Sequence, residues 1–302
     1  MKKIYLIIVV VLLLMPLSTL AKGAPKKASP VKKVAPVVIT VERRTGAEDL
    51  PVDSLALTAV LIRDETTASN IVDVGSSQSW PLASLTKLMT ALVFLDHNPG
   101  WNKPITLAAG DEVGGARLWV KEGTRFTTKE AFTMSLVGSA NNTTNALARS
   151  TGLSRNRFVE LMNAKAKKFG MTHTTFVEPT GIEPANISTA HDVALLIRET
   201  KQKSVLQETL QKKEYRWYNR ATRKVHTIKN TNKLLTGAPF RVLGGKTGLL
   251  DESGGNLVMR VTDGKHPLTI VIFGAEHLAD TFGIAKQLAL WTWKAHQWVK
   301  KG

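Results

Sequence analysis

The sequence predicts an α/β (α+β) protein built on an antiparallel sheet flanked by helices, with an inserted all-helical subdomain. Three observations predict it. Apolar, β-branched segments bounded by turn residues stand near both ends: "SLALTAVLIRD" and "ASNIVDVGS" early, "VLGGKTGLL", "GGNLVMRVTDG" and "HPLTIVIFGAE" late. Between them, from about Thr127 to Gln211, apolar residues recur three and four apart, the helical period. The 302 residues are 43% hydrophobic and include no cysteine, so stability must come from a packed core.

Taken in order, residues 1–21 read as a signal peptide, with Lys2 and Lys3, the apolar run Ile4 to Met15, and "PLSTLA" offering cleavage after Ala21. That run falls short of the roughly 20 residues needed to span a bilayer. No cysteine follows it, which excludes lipid attachment there. An exported, periplasmic protein is expected. Residues 22–47 read as a Lys/Ala/Pro-rich tether, with seven basic side chains against one acid. With a formal net charge of +17, peripheral contact with anionic envelope surfaces is expected, and nucleic acid is excluded as a partner by compartment.

Residues 48–302 form the folded body, with the helical subdomain at about 97–212. The two early strands lead into "WPLASLTKLMTALVFLD", where Leu85, Leu88, Met89, Leu92 and Leu95 make an apolar helix. "TKEAFTMSLVG", "NTTNALARST", "RNRFVELMNAKAKKFG" and "TAHDVALLIRET" supply the middle helices. The late strands follow, with "TDGK" as a tight turn. A last helix, about Ala279 to Val299, carries Trp291, Trp293 and Trp298 and is expected to pack on the sheet rather than on a membrane.

Lys87 interrupts the first helix three residues after Ser84, which puts both on one face of its first turn. Burial and the positive end of the helix dipole both disfavour an ammonium there. A lysine neutral near pH 7 is a general base, and a serine within its reach becomes an activated nucleophile. Spacing alone is weak evidence, since Ser29 and Lys32 repeat it in the tether. Two further elements arrive in order. "GSANN" puts Ser139 and Asn141 in a loop between two middle helices, whereas the similar "SRN" at Ser154 opens a helix and reads as an N-cap. "GGKTGLL" puts Lys246, Thr247, Gly248 and Leu249 on the first late strand, among glycines that permit close approach of a substrate backbone.

"ASLTKLMTA", "SAN" and "GKTG", with "VEPTGIEPANISTAHDVALL" between the last two, resemble the low-molecular-mass penicillin-binding proteins of the β-lactamase-like superfamily. These are D-alanyl-D-alanine peptidases. The "EPTG" and "GKTGLLDESGGNLVM" segments resemble the endopeptidase branch, which cuts D-alanyl cross-links in peptidoglycan. The resemblance implies that Ser84 attacks the substrate carbonyl, Lys87 takes its proton, and Ser139 relays a proton to the leaving amine. Asn141, Lys246, Thr247, Gly248 and Leu249 then bind substrate, with an oxyanion hole at the N–H groups of Ser84 and Leu249. It also implies peptidoglycan peptides as substrates, β-lactam antibiotics as covalent inhibitors and no cofactor or metal. The seven histidines show no metal-ligand spacing.

Three rivals stand beside it. A D-alanyl-D-alanine carboxypeptidase would share every motif, though the chain's close on its last helix favours the endopeptidase. A β-lactamase would need a carboxylate to activate water, and Glu178 and Glu183 lie in a plausible loop. A non-catalytic wall-binding protein would not need the complete motif set.

Overall fold

The computed structural model describes residues 38–50 and 55–301. The expected signal peptide and the first part of the tether lie outside the described residues. The last part of the expected tether is extended but paired rather than mobile, because Val38–Arg43 form strand β1. This strand pairs antiparallel with the last strand of the chain, Val38 opposite Lys301 and Arg43 opposite His296.

Next come β2 (Ala59–Asp64) and β3 (Asn70–Val74), then the short β4 (Trp80–Pro81). A 3-10 turn, Ala83–Leu85, runs directly into helix α1 (Thr86–Asp96). The inserted region is not purely helical. Two short strands, β5 (Pro104–Thr106) and β6 (Arg125–Thr127), pair as a ribbon before α2 (Thr128–Val137). There follow α3 (Asn141–Ser150), α4 (Arg155–Lys168), the short β7 (Ile187–Ser188), α5 (Ala190–Thr200) and α6 (Ser204–Leu210). Side chains set the boundaries of these helices. Thr127 Oγ1 accepts from Glu130 N while Glu130 Oε2 accepts from Thr127 N, a reciprocal cap on α2. Ser154 caps α4 by accepting from Arg157 N, as its sequence context predicts.

A hairpin of β8 (Glu214–Asn219) and β9 (Lys224–Lys229), which the sequence reading passed over, precedes the short helix α7 (Leu234–Gly237). Three long strands then follow, β10 (Arg241–Leu250), β11 (Gly254–Thr262) and β12 (Pro267–Ala275). The main sheet is antiparallel in the order β10-β11-β12-β2-β3, so the two ends of the chain meet at its centre, where Leu61 faces Val271 and Ile62 faces Ile270. Its middle strands are buried on both faces, which is why they read as near-continuous apolar runs. Leu61, Val258, Val271 and Phe273 belong to the core shared with α1 and α5. Val60, Ile62, Met259 and Ile270 belong to a second core on the other side.

That second core is closed by α8 (Leu278–Ala295), through Ala285, Leu288 and Ala289. The helix stops four residues short of the expected Val299, and His296–Lys301 form β13, the partner of β1. All three late tryptophans spend their indole N–H inside the protein: Trp291 on Glu48 O, Trp293 on His266 O and Trp298 on Asp64 Oδ2. An indole satisfied in this way favours packing on the body over a membrane surface. Among the described residues, no helix is long and apolar enough to cross a membrane.

Helix α1 is the axle of the helical side. Every residue from Thr86 to Phe94 is buried, because α2, α3, α4 and α5 all pack against it. A helix buried all round has no solvent face on which to put a charge. Lys87 therefore lies wholly inside the protein, at 0% exposure.

Candidate active site

The nucleophile candidate stands at a strained corner. Ser84 is the middle residue of the 3-10 turn, and Ala83 before it has φ +48°, a left-handed conformation that an alanine adopts only when its surroundings hold it there. Two glycines permit that packing. At Gly181 (φ +84°) a Cβ would come within 1.8 Å of Ala83 O, and at Gly248 within 2.8 Å of Leu82 O. The "EPTG" loop and the KTG strand thus press on the turn from two sides, closer than any side chain would allow.

Lys87, the second residue of α1, turns its amine end into this corner. Its Nζ lies 2.8 Å from Ser84 Oγ, 2.6 Å from Asn141 Oδ1 and 2.6 Å from Thr180 O. Burial pushes its pKa down to about 7, partly offset by the negative charge of Glu178. Asn141 opens α3, and its amide N–H₂ donates to Gly114 O, which orients the amide oxygen toward the lysine.

Lys246 on β10 makes the second half of the site. Its Nζ donates to Ser139 Oγ at 2.8 Å and to Thr247 O at 3.0 Å. Burial, and after it the charge of Lys87, hold its pKa well below the usual lysine value. Ser139 bridges α2 and α3 with φ +58°, a second strained non-glycine position. Thr247 Oγ1 donates to Thr231 Oγ1 at 2.6 Å. Thr231 escaped the sequence reading because it belongs to no motif, and its nearest signal is the Asn-Thr-Asn stretch just before α7.

These groups line one cleft of about 520 Å³, whose walls include Ser84, Ser139, Asn141, Thr247, Gly248 and Leu249. Lys87 and Lys246 lie behind it, buried but bonded to wall residues. The structure therefore brings together all eight residues singled out from the sequence. Glu178 and Glu183 do not join them. Glu178 is 1% exposed and its carboxylate is consumed by its own loop, and Glu183 lies exposed outside the cleft wall.

One other cluster invites comparison. Ser76 Oγ lies 2.8 Å from His191 Nε2 and also bonds Asp73. The same Nε2 approaches Asp73 Oδ2 at 3.3 Å, so the ring does not relay between serine and acid from its two nitrogens. With Ser76 buried, the cluster pins the end of β3 to α5. Among the described residues, no group of three or more His, Asp or Glu side chains is placed to hold a metal ion.

Comparison with known proteins agrees with this geometry. The chain is similar to the D-alanyl-D-alanine endopeptidase of Pseudomonas aeruginosa, 31% identical over 239 residues, covering 78% of this chain and 77% of that protein. It is 34% identical over 208 residues to the D-alanyl-D-alanine endopeptidase of Haemophilus influenzae, covering 68% and 70%. Its fold is similar to that of penicillin-binding protein D2 from Listeria monocytogenes in the cefotaxime-bound form, with a TM-score of 0.71, 24% identity and coverage of 82% and 99%. A family model described as D-alanyl-D-alanine carboxypeptidase matches residues 45–277, which hold every residue of the cleft named above, and so the chain belongs to this family of serine peptidases.

Proposed function

We propose that this protein is an exported, periplasmic serine D-alanyl-D-alanine endopeptidase that hydrolyses D-alanyl cross-links in peptidoglycan through an acyl-enzyme on Ser84. The observation that carries this reading is the set of partners around Lys87. A neutral amine has two N–H donors and one lone pair. Asn141 Oδ1 and Thr180 O can only accept, so they take both donors, and the lone pair is left facing the Ser84 hydroxyl.

In the first step the Ser84 proton passes to Lys87 Nζ as Oγ bonds to the substrate carbonyl carbon. The oxyanion lies between the N–H groups of Ser84 and Leu249, two donors fixed before the reaction begins. The C–N bond then breaks as the departing amine takes the Ser139 hydroxyl proton, and Ser139, held by Lys246, is reprotonated by the proton that Lys87 took from Ser84. Asn141, Thr247 and Gly248 hold the peptide along β10. A water hydrolyses the ester and returns the serine. A β-lactam, which carries a strained amide in place of the peptide, is trapped at the first of these stages. The two named endopeptidases support the cross-link specificity, and the leader-like residues 1–21 support export.

Digestion of purified peptidoglycan, with products resolved by mass, tests the specificity. Cross-linked dimers should fall with a matching gain of monomers. Loss of terminal D-alanine with the dimers intact would instead make the protein a carboxypeptidase.

The pH dependence follows from Lys87. Only the neutral amine accepts a proton, and burial lowers its pKa to about 7, so acylation should rise with pH through neutrality rather than through the ordinary lysine range. The second-order rate with a labelled penicillin should fall about tenfold per unit well below that pKa. A limb centred above pH 9 would mean that burial does not hold the Lys87 amine neutral near pH 7.

A further inference from the structure

We propose that Glu178 is a positioning residue for acylation: its buried carboxylate folds the Glu178–Gly181 loop so that the Thr180 carbonyl takes one N–H of Lys87 and aims the amine at Ser84. The inference rests on the role of Lys87 given above.

Four donors converge on this one side chain. Thr180 N donates to Oε2 at 2.6 Å and Thr180 Oγ1 to the same oxygen at 2.7 Å. Gly181 N and Asn186 Nδ2 donate to Oε1, the latter at 2.7 Å. The sequence shows why the loop can close so tightly. Pro179 has no N–H to satisfy, so the carboxylate reaches past it to the next two amides. Pro179 O in turn accepts from Thr90 Oγ1 of α1, which anchors the loop to the helix that carries Lys87.

Asn186 ties the other end. Its Oδ1 accepts from Val177 N at 2.7 Å, its Nδ2 reaches Thr86 Oγ1, and its main-chain oxygen accepts from Leu82 N at 2.8 Å. Both flanks of Ser84 are thereby fastened to the loop that Glu178 organises. Glu178 makes no contact with the cleft, and this separates it from a water-activating carboxylate.

A carboxylate here has a second effect that a purely structural group would lack. Two ionisable groups bear on the Lys87 amine, Glu178 from the loop and Lys246 from β10, and the Ser84 hydroxyl faces it from the 3-10 turn. Asn141 and Thr180 contribute neutral dipoles. The negative charge of Glu178 holds the Lys87 pKa up. Removing it should move the acid limb of acylation to lower pH while the misdirected amine slows the step itself.

The test is Glu178→Gln in the full chain, with labelled penicillin as probe. The amide presents a donor where two N–H donors need an acceptor, so the loop loses its register. The acylation rate constant should fall about 10- to 100-fold with reversible binding of the penicillin little changed, and the acid limb should shift downward. Loss of thermal stability with the limb unmoved would make Glu178 structural only and overturn the proposal, as would a folded variant acylating at the parent rate. Should Glu178→Gln fail to fold, Thr180→Val decides: it removes one of the four donors and leaves the charge. Acylation should then slow severalfold with the limb in place, and an unchanged rate overturns the proposal. Failure of the proposed function would show differently, as a parent protein that penicillin does not label on Ser84.

Discussion

Ser84→Ala should abolish covalent labelling by penicillin, with a loss of at least about 10⁴ in the acylation rate, while the protein remains folded. The substitution removes one oxygen from a half-buried residue at the cleft wall and leaves the backbone of the 3-10 turn to its neighbours. Nothing in either core loses a contact, so the thermal midpoint should hold within the range of an ordinary surface substitution, about 0.5 kcal/mol. The loss is expected to be nearly complete because no second nucleophile shares the position. Ser139 is the other hydroxyl at hand, yet it bonds Lys246 rather than Lys87 and stands at a different corner of the cleft. Mass spectrometry of the labelled protein checks both points. A penicilloyl adduct that persists in Ser84→Ala would remove the basis of the whole assignment.

The second large effect is expected from Lys87→Arg. A guanidinium keeps the positive charge but does not deprotonate at any accessible pH, so it cannot accept the serine proton. Acylation should fall by roughly 10² to 10⁴, the usual range for losing a general base. The charge is also more damaging than in an ordinary site. Lys87 has no solvent contact, and its three hydrogen-bond partners include no carboxylate. A permanently charged group there loses solvation that the negative charge of Glu178 offsets only in part, which should lower the thermal midpoint as well. Lys246→Arg is expected to suffer less in acylation, since the donor role toward Ser139 Oγ can be met by an N–H of the guanidinium. Acylation rates for the two variants, read beside their thermal midpoints, separate base chemistry from packing. A Lys87→Arg protein that acylates near the parent rate would exclude lysine as the base.

Much of this protein was legible from local pattern. The period of apolar residues fixed which segments are strands and which are helices, since each period follows from backbone geometry alone. Ser84 and Lys87 could be paired on paper because three residues on a helix always share a face. The cap at Ser154 was readable for the same reason, as its partner Arg157 N lies only three residues away.

Tertiary structure decided what depends on partners far apart in sequence. Lys87 meets Asn141 across 54 residues and Thr180 across 93, and Lys246 meets Ser139 across 107. No local rule encodes those meetings, and the burial that depresses both lysines comes from the same long-range packing. Thr231 went unread, and Glu178 was read only as a candidate water-activating carboxylate, because each acts on a catalytic residue while lying outside the three catalytic motifs. The ends of the chain were misread on the same ground. "VITVER" carries a β-branched run but closes a Lys/Ala/Pro-rich stretch, and "HQWVKK" is too polar to announce a strand; the two pair because each lies beside the other to take its backbone hydrogen bonds. Sequence alone thus determined the main strands and helices and the residues that could do chemistry, while the short ribbons, the depressed lysine, the aimed lone pair and the paired termini came from burial and hydrogen bonding that only the assembled fold supplies.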